Sequence, residues 1–121
     1  MALPDCSPTW AFEQLFAGTE HDARLLTAVT PDGASFHVTR EADLFLVVRH
    51  DSSGVPDKSV RFERAGATIT ITGEGCAPFC VTVQSNQHGE CRFFINNIGT
   101  PWRDVDIRNR ALNRLFFNPP A

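Results

Sequence analysis

Between residues 25 and 95, apolar and polar residues alternate with a period near two, the spacing of half-buried β-strands. Thr68-Ile69-Thr70-Ile71-Thr72 is the cleanest stretch, β-branched throughout. Val60-Arg61-Phe62-Glu63, Phe79 to Val83 and Cys91 to Ile95 repeat the pattern, and Leu25 to Thr30 and Ser35 to Thr39 read as further strands. Leu44-Phe45-Leu46-Val47-Val48 is apolar at successive positions, the mark of a strand covered on both faces. Turn chemistry separates the strands at Pro31-Asp32-Gly33, in the Ser/Gly/Pro/Asp-rich His50 to Lys58, at Ala65-Gly66-Ala67, at Gly73-Glu74-Gly75 and at Asn86-Gln87-His88-Gly89. About seven short strands so spaced predict a mainly β fold, a two-sheet antiparallel β-sandwich.

The ends of the chain change period. Ser7 can cap a helix, Pro8 suits its first position and Gly18 its C-terminal stop, with Ala11, Phe12, Leu15 and Phe16 as an apolar stripe between. A short N-terminal helix is expected, too short to stand without docking. Trp102, Val105, Leu112, Leu115 and Phe116 would line one helix face, whereas Val105 with Ile107, and Leu115 with Phe117, alternate as strands would. Local propensity favours a C-terminal helix, and the pattern leaves both open. The expected division is an aromatic arm with the helix and first strand over 1–34, then a sandwich over 35–121, with no internal repeat.

Size and charge narrow the function classes. A chain of 121 residues holds one core. A formal charge of -3 argues against non-specific binding to nucleic acid or anionic membrane, which needs a positive field. No apolar run approaches the roughly 20 residues of a membrane span, and no signal peptide is visible, so the expected location is the cytoplasm, with Cys6, Cys76, Cys80 and Cys91 reduced. Ten Phe, two Trp and no Tyr supply apolar area with little polar anchoring, suited to a core or a greasy binding surface.

Asp43-Leu44-Phe45 through Gly54-Val55, then Val60-Arg61-Phe62-Glu63, then Thr68 to Glu74 resembles the first half of the alpha-crystallin domain of small heat-shock proteins. Asn113-Arg114-Leu115-Phe116-Phe117-Asn118-Pro119 looks like that family's closing strand, and Trp10, Phe12 and Phe16 are similar to its aromatic N-terminal arm. The CS-type co-chaperone domain is similar over Asp43 to Thr72. The likeness covers about residues 41 to 120, and it has departures. Ser53 replaces the loop proline, Arg114 the signature glycine, and no Ile-x-Ile tail follows. It implies an ATP-independent protein binder whose groove, between strands at Thr68 to Thr72 and Leu115 to Phe117, receives apolar segments. Ile69, Ile71, Leu115 and Phe117 are then the partner-binding candidates, together with Trp10, Phe12 and Phe16. An unpaired strand edge flanked by apolar side chains is a physical template for such docking, and the competing reading is that these residues are ordinary core.

Other constellations are weaker. Cys76, Cys80, His88 and Cys91 carry zinc-ligand chemistry at a non-standard spacing; buried thiols, or a short disulfide between Cys76 and Cys80, compete with that reading. His50-Asp51-Ser52-Ser53 brings triad residue types together in sequence, but triads converge in space, so a solvated loop is the better reading. Arg103, Arg108, Arg110 and Arg114 form a local basic excess that could meet an acidic partner or a phosphate backbone. The expected function is therefore non-enzymatic protein binding without cofactor or metal, the partner being an unfolded client. The alternatives are an adaptor, inhibitor or immunity-type protein with one folded partner, and a nucleic-acid-binding domain using the C-terminal arginines. A homodimer is left open.

Overall fold

The computed structural model describes residues 6–30, 33–73, 76–96 and 98–116. A helix α1, Pro8–Val29, opens the chain. Six strands follow: β1 (Ser35–Glu41), β2 (Leu44–His50), β3 (Pro56–Ala65), β4 (Thr68–Gly73), β5 (Cys76–Ser85) and β6 (Cys91–Ile95). A second helix α2, Asp104–Phe116, closes the fold. The strands form one antiparallel sheet in the order β1-β2-β3-β4-β5-β6, each paired with its sequence neighbour. The fold is mainly β, as the alternation predicts. The expected second sheet is not among the described residues; the layer against the first is helical.

Strand alternation divides the sheet cleanly. Phe36, Phe45, Val47, Val60, Phe62, Ile69, Ile71, Phe79, Val81, Phe93 and Ile95 point to one face and are buried there. Both helices lie on that face. Phe12 and Phe16 of α1 meet the Phe45 ring at 5.2 and 5.4 Å, Phe45 stacks on Phe62 at 4.3 Å, and Phe116 of α2 meets Phe36 edge-on at 4.9 Å. Ile107, Ala111, Leu112 and Leu115 complete the core from α2.

Helix α1 is longer than the sequence expectation, and α2 takes the helical alternative of the two that the pattern left open. Ser7 caps α1 as predicted, its hydroxyl accepting from the Trp10 N–H at 3.0 Å with Pro8 in the first turn. The helix then runs through Gly18 and through Leu25 to Val29, where a stop and a strand are predicted. Gly18 serves a close approach instead: a Cβ there would sit 2.5 Å from Arg108 Nε of α2. Arg108 donates to the Gly18 carbonyl at 3.3 Å and pairs with Asp22, binding the two helices together. The C-terminal stretch is helical from Asp104, with Asp104 and Asp106 in its first turn, where negative charge suits the helix dipole.

A disulfide joins Cys6, just before α1, to Cys91 at the start of β6, with Cα atoms 5.2 Å apart and 85 positions between them in sequence. The expectation that all four cysteines stay reduced fails for this pair. No helix among the described residues is long and apolar enough to cross a membrane.

Candidate functional site

The face of the sheet opposite the helices is built from the alternate residues of the same strands. Its registry runs in rows. One row crosses β1 to β4 as Thr39, Leu46, Arg61 and Thr72, and the next as Glu41, Leu44, Glu63 and Thr70, which continues to Cys80 on β5. A third begins His37, Val48, Ser59, and on the far side Thr82 faces Phe94 and Gln84 faces Arg92. Leu44, Leu46, Val48 and Phe94 are half-buried here, shielded only by their neighbours. Among the described residues no element lies over this face. A solvated face of an antiparallel sheet normally carries polar side chains, and Leu44, Leu46 and Val48 of β2 together with Phe94 of β6 depart from that pattern.

The electrostatics of the face are balanced. Arg61 and Glu63 lie side by side on β3, 3.1 Å apart and each about half exposed. His37 and His50 rings sit 4.3 Å apart towards one end, and the Ser35 hydroxyl lies 2.9 Å from His37 Nε2. Asp51 does not join them as a catalytic acid would. Its carboxylate accepts from the Ser53 and Val55 N–H groups at 2.9 and 3.1 Å and shapes the loop.

Each edge of the sheet is occupied at one position by another part of the chain. On β1 the Thr27 hydroxyl accepts from the Phe36 N–H at 2.9 Å and donates to its carbonyl at 3.4 Å. On β6, Phe93 exchanges both backbone hydrogen bonds with Trp102, at 3.0 and 2.7 Å. These contacts occupy groups that would otherwise template an added strand.

The candidates read from sequence do not assemble into a groove. Ile69 and Ile71 sit on β4, an interior strand flanked by β3 and β5, and they are 1% and 0% exposed on the helix-covered face. Leu115 is 1% exposed and belongs to α2 rather than to a strand. Phe117 lies outside the described residues. Of the aromatic set, Phe12 is buried, while Trp10 and Phe16 are half-buried against the core, Trp10 stacked on Phe93 at 6.2 Å. Four of the six described candidates, Phe12, Ile69, Ile71 and Leu115, are core residues because strand alternation and helix docking turn them inward, and Trp10 and Phe16 pack against that core. The two-edge slot therefore does not form.

The zinc quartet is also broken, since the Cys91 sulfur is bonded to Cys6. Cys80 is a free thiol on the open face, 3.9 Å from the Thr70 hydroxyl. Within the arginine cluster, Arg103 pairs with Asp106, Arg108 with Asp22 and Asp104, and Arg110 lies 4.9 Å above the Phe79 ring. Arg108 adjoins a groove of about 260 Å³ between α1 and α2, walled by Leu25, Leu26, Val105 and Phe116.

The open face escaped the sequence reading although its signal was present. The unbroken apolar run of β2 asks for cover on both sides, and helices supply only one. Compared with known protein families, curated proteins and solved structures, the chain matches none.

Proposed function

We propose that this chain is a non-enzymatic protein-binding domain that docks a folded partner on the open face of its sheet. The observation that carries this reading is the half-buried apolar stripe Leu44, Leu46 and Val48 along β2, with Phe94 four strands away on β6, and with no element of the chain above that face among the described residues. Covering such area is favourable at about 25 cal/mol per Å², and the surrounding threonines and the Arg61–Glu63 pair supply a polar frame.

A folded partner fits better than an extended client. Capture of an unfolded segment draws on a free strand edge or a deep groove, and here both edges are occupied at Phe36 and Phe93. Nucleic-acid binding is disfavoured because Arg103 and Arg108 face carboxylates and Arg110 lies over a ring. The Cys6–Cys91 bond supports a working environment in which thiols are not kept reduced, in place of the cytoplasm.

Cys80 reports on coverage because its thiol lies on the face in question. In a Cys76→Ser background, alkylation of Cys80 is expected to be several-fold slower in native extract than in the purified, dilute chain. A Leu46→Glu substitution should abolish that protection. Equal reactivity of Cys80 in extract and in dilute solution would overturn the reading. A heat-unfolded test protein should scatter light equally with and without the chain; suppression at near-stoichiometric ratio would favour the client-binding form instead.

A further inference from the structure

Resting on that reading, we infer that the partner on the open face is a second copy of this chain, stacked sheet on sheet about a two-fold axis. The axis would lie in the plane of the interface, across the strands, between the Arg61 row and the Glu63 row.

The registry makes the face complementary to itself under that operation. The row Thr39, Leu46, Arg61, Thr72 would meet the row Glu41, Leu44, Glu63, Thr70 of the second copy. Leu46 then opposes Leu44, apolar against apolar. Arg61 opposes Glu63, so the ion pair now made within one strand is remade between chains, twice by symmetry. Thr72 opposes Thr70, hydroxyl against hydroxyl, and Thr39 can donate to Glu41. No row sets a charge against a like charge or a leucine against a charge. A two-fold interface requires one surface to satisfy itself in this way.

Area and edges point the same way. Strands about 4.8 Å apart and about 3.3 Å per residue give a six-stranded face of about 700 Å² per copy, hence about 1,400 Å² in all, within the range of a stable interface. Edge-to-edge growth is hindered at Phe36 by Thr27 and at Phe93 by Trp102. Stacking avoids both obstacles, and in it aligned sheets cross at about 30° because each is twisted. The β2 run Leu44 to Val48 would then be covered on both sides, by helices within its own chain and by the second copy's sheet.

The test is a charge exchange followed by sedimentation from micromolar to sub-millimolar concentration. Wild type is expected to be dimeric at the upper end and Leu46→Glu monomeric, with an unchanged far-ultraviolet spectrum showing that the fold survives. Leu25→Glu, on the exposed side of α1, should leave the dimer intact. Arg61→Glu alone sets two carboxylates against each other across the axis, and Glu63→Arg alone sets two guanidinium groups; each should weaken association at least tenfold. An equimolar mixture of the two should recover a heterodimer, since each copy then carries the charges the other needs.

A wild-type chain that stays monomeric throughout, or a mixture no tighter than its components, overturns the inference. Protection of Cys80 in extract would survive that result and point to a different folded partner. Loss of both would remove the protein-binding reading as well.

Discussion

The two faces of the sheet are made by the same strands, yet they are used differently. On the covered face, phenylalanines from neighbouring strands stack and two helices close over them, leaving Phe45, Val47, Phe62 and Ile71 at 0% exposure. On the open face, leucine and valine stand half-buried among threonines and a balanced ion pair. One face holds the fold together and the other is free to hold something else. Substitutions one residue apart along β2 or β3 should therefore have different consequences.

The largest contrast is expected between Phe62→Ala and Leu46→Ala. Phe62 is fully buried and stacked, so its truncation should cost about 3–5 kcal/mol, enough to unfold a marginal domain. Leu46→Ala should cost about 1 kcal/mol or less in the dilute chain, since it empties no enclosed space. Urea unfolding at low protein concentration measures both, and comparable losses would mean that the open face is structural.

Next is the disulfide. Cys6→Ser with Cys91→Ser removes a cross-link spanning 85 positions and should cost about 2–4 kcal/mol. Its effect should fall on global stability and leave Cys80 reactivity in the folded chain unchanged. A rise in that reactivity would show that the covalent tie also shapes the open face.

The smallest effect concerns Glu13 of α1 and Arg40 of β1, an ion pair on the covered side whose guanidinium lies over the Phe12 and Phe16 rings at 5.2 and 4.8 Å. Its hydrogen bond from Arg40, aided by the nearby positive charge, holds the Glu13 carboxyl below its ordinary value. A carboxyl lowered on folding contributes stability that is present above its unfolded value and disappears as pH falls through the folded one. Glu13→Gln should therefore cost a few tenths of a kcal/mol near neutrality, given the pair's exposure, and nothing in strong acid. Thermal melts from neutral to acid pH test the sign, and a gap between variant and wild type that widens on acidification would contradict it.

How much of this was legible in the sequence follows from the range of the interactions. Alternation at Thr68 to Thr72 and turn chemistry at Asn86 to Gly89 are local, and they give β4 and the β5–β6 hairpin directly: Asn86 Oδ1 accepts from the His88 and Glu90 N–H groups. The Ser7–Pro8 start is local too. Gly18 misleads because its reason is tertiary, the passage of Arg108 from 90 positions away. The continuation of α1 over Leu25 to Val29 goes unread for a related cause: apolar residues there fit either period, and Leu25 and Val29 end up exposed. The pairing of Cys6 with Cys91 leaves no mark in spacing. The candidate site was misplaced because Ile69 and Ile71 were assigned to an edge, and strand order is a global property.

The strand order also bears on how the molecule is made. Every β-pairing links consecutive strands, so the sheet can zip up hairpin by hairpin while synthesis proceeds, each step closing only a short loop. Helix α1 emerges first but gains its seat only after Phe45 and Phe93 exist to receive Phe12 and Trp10. The bond from Cys6 to Cys91 can close only after strands β1 to β5 have been synthesised, so it locks a sheet already laid out instead of guiding its first pairings.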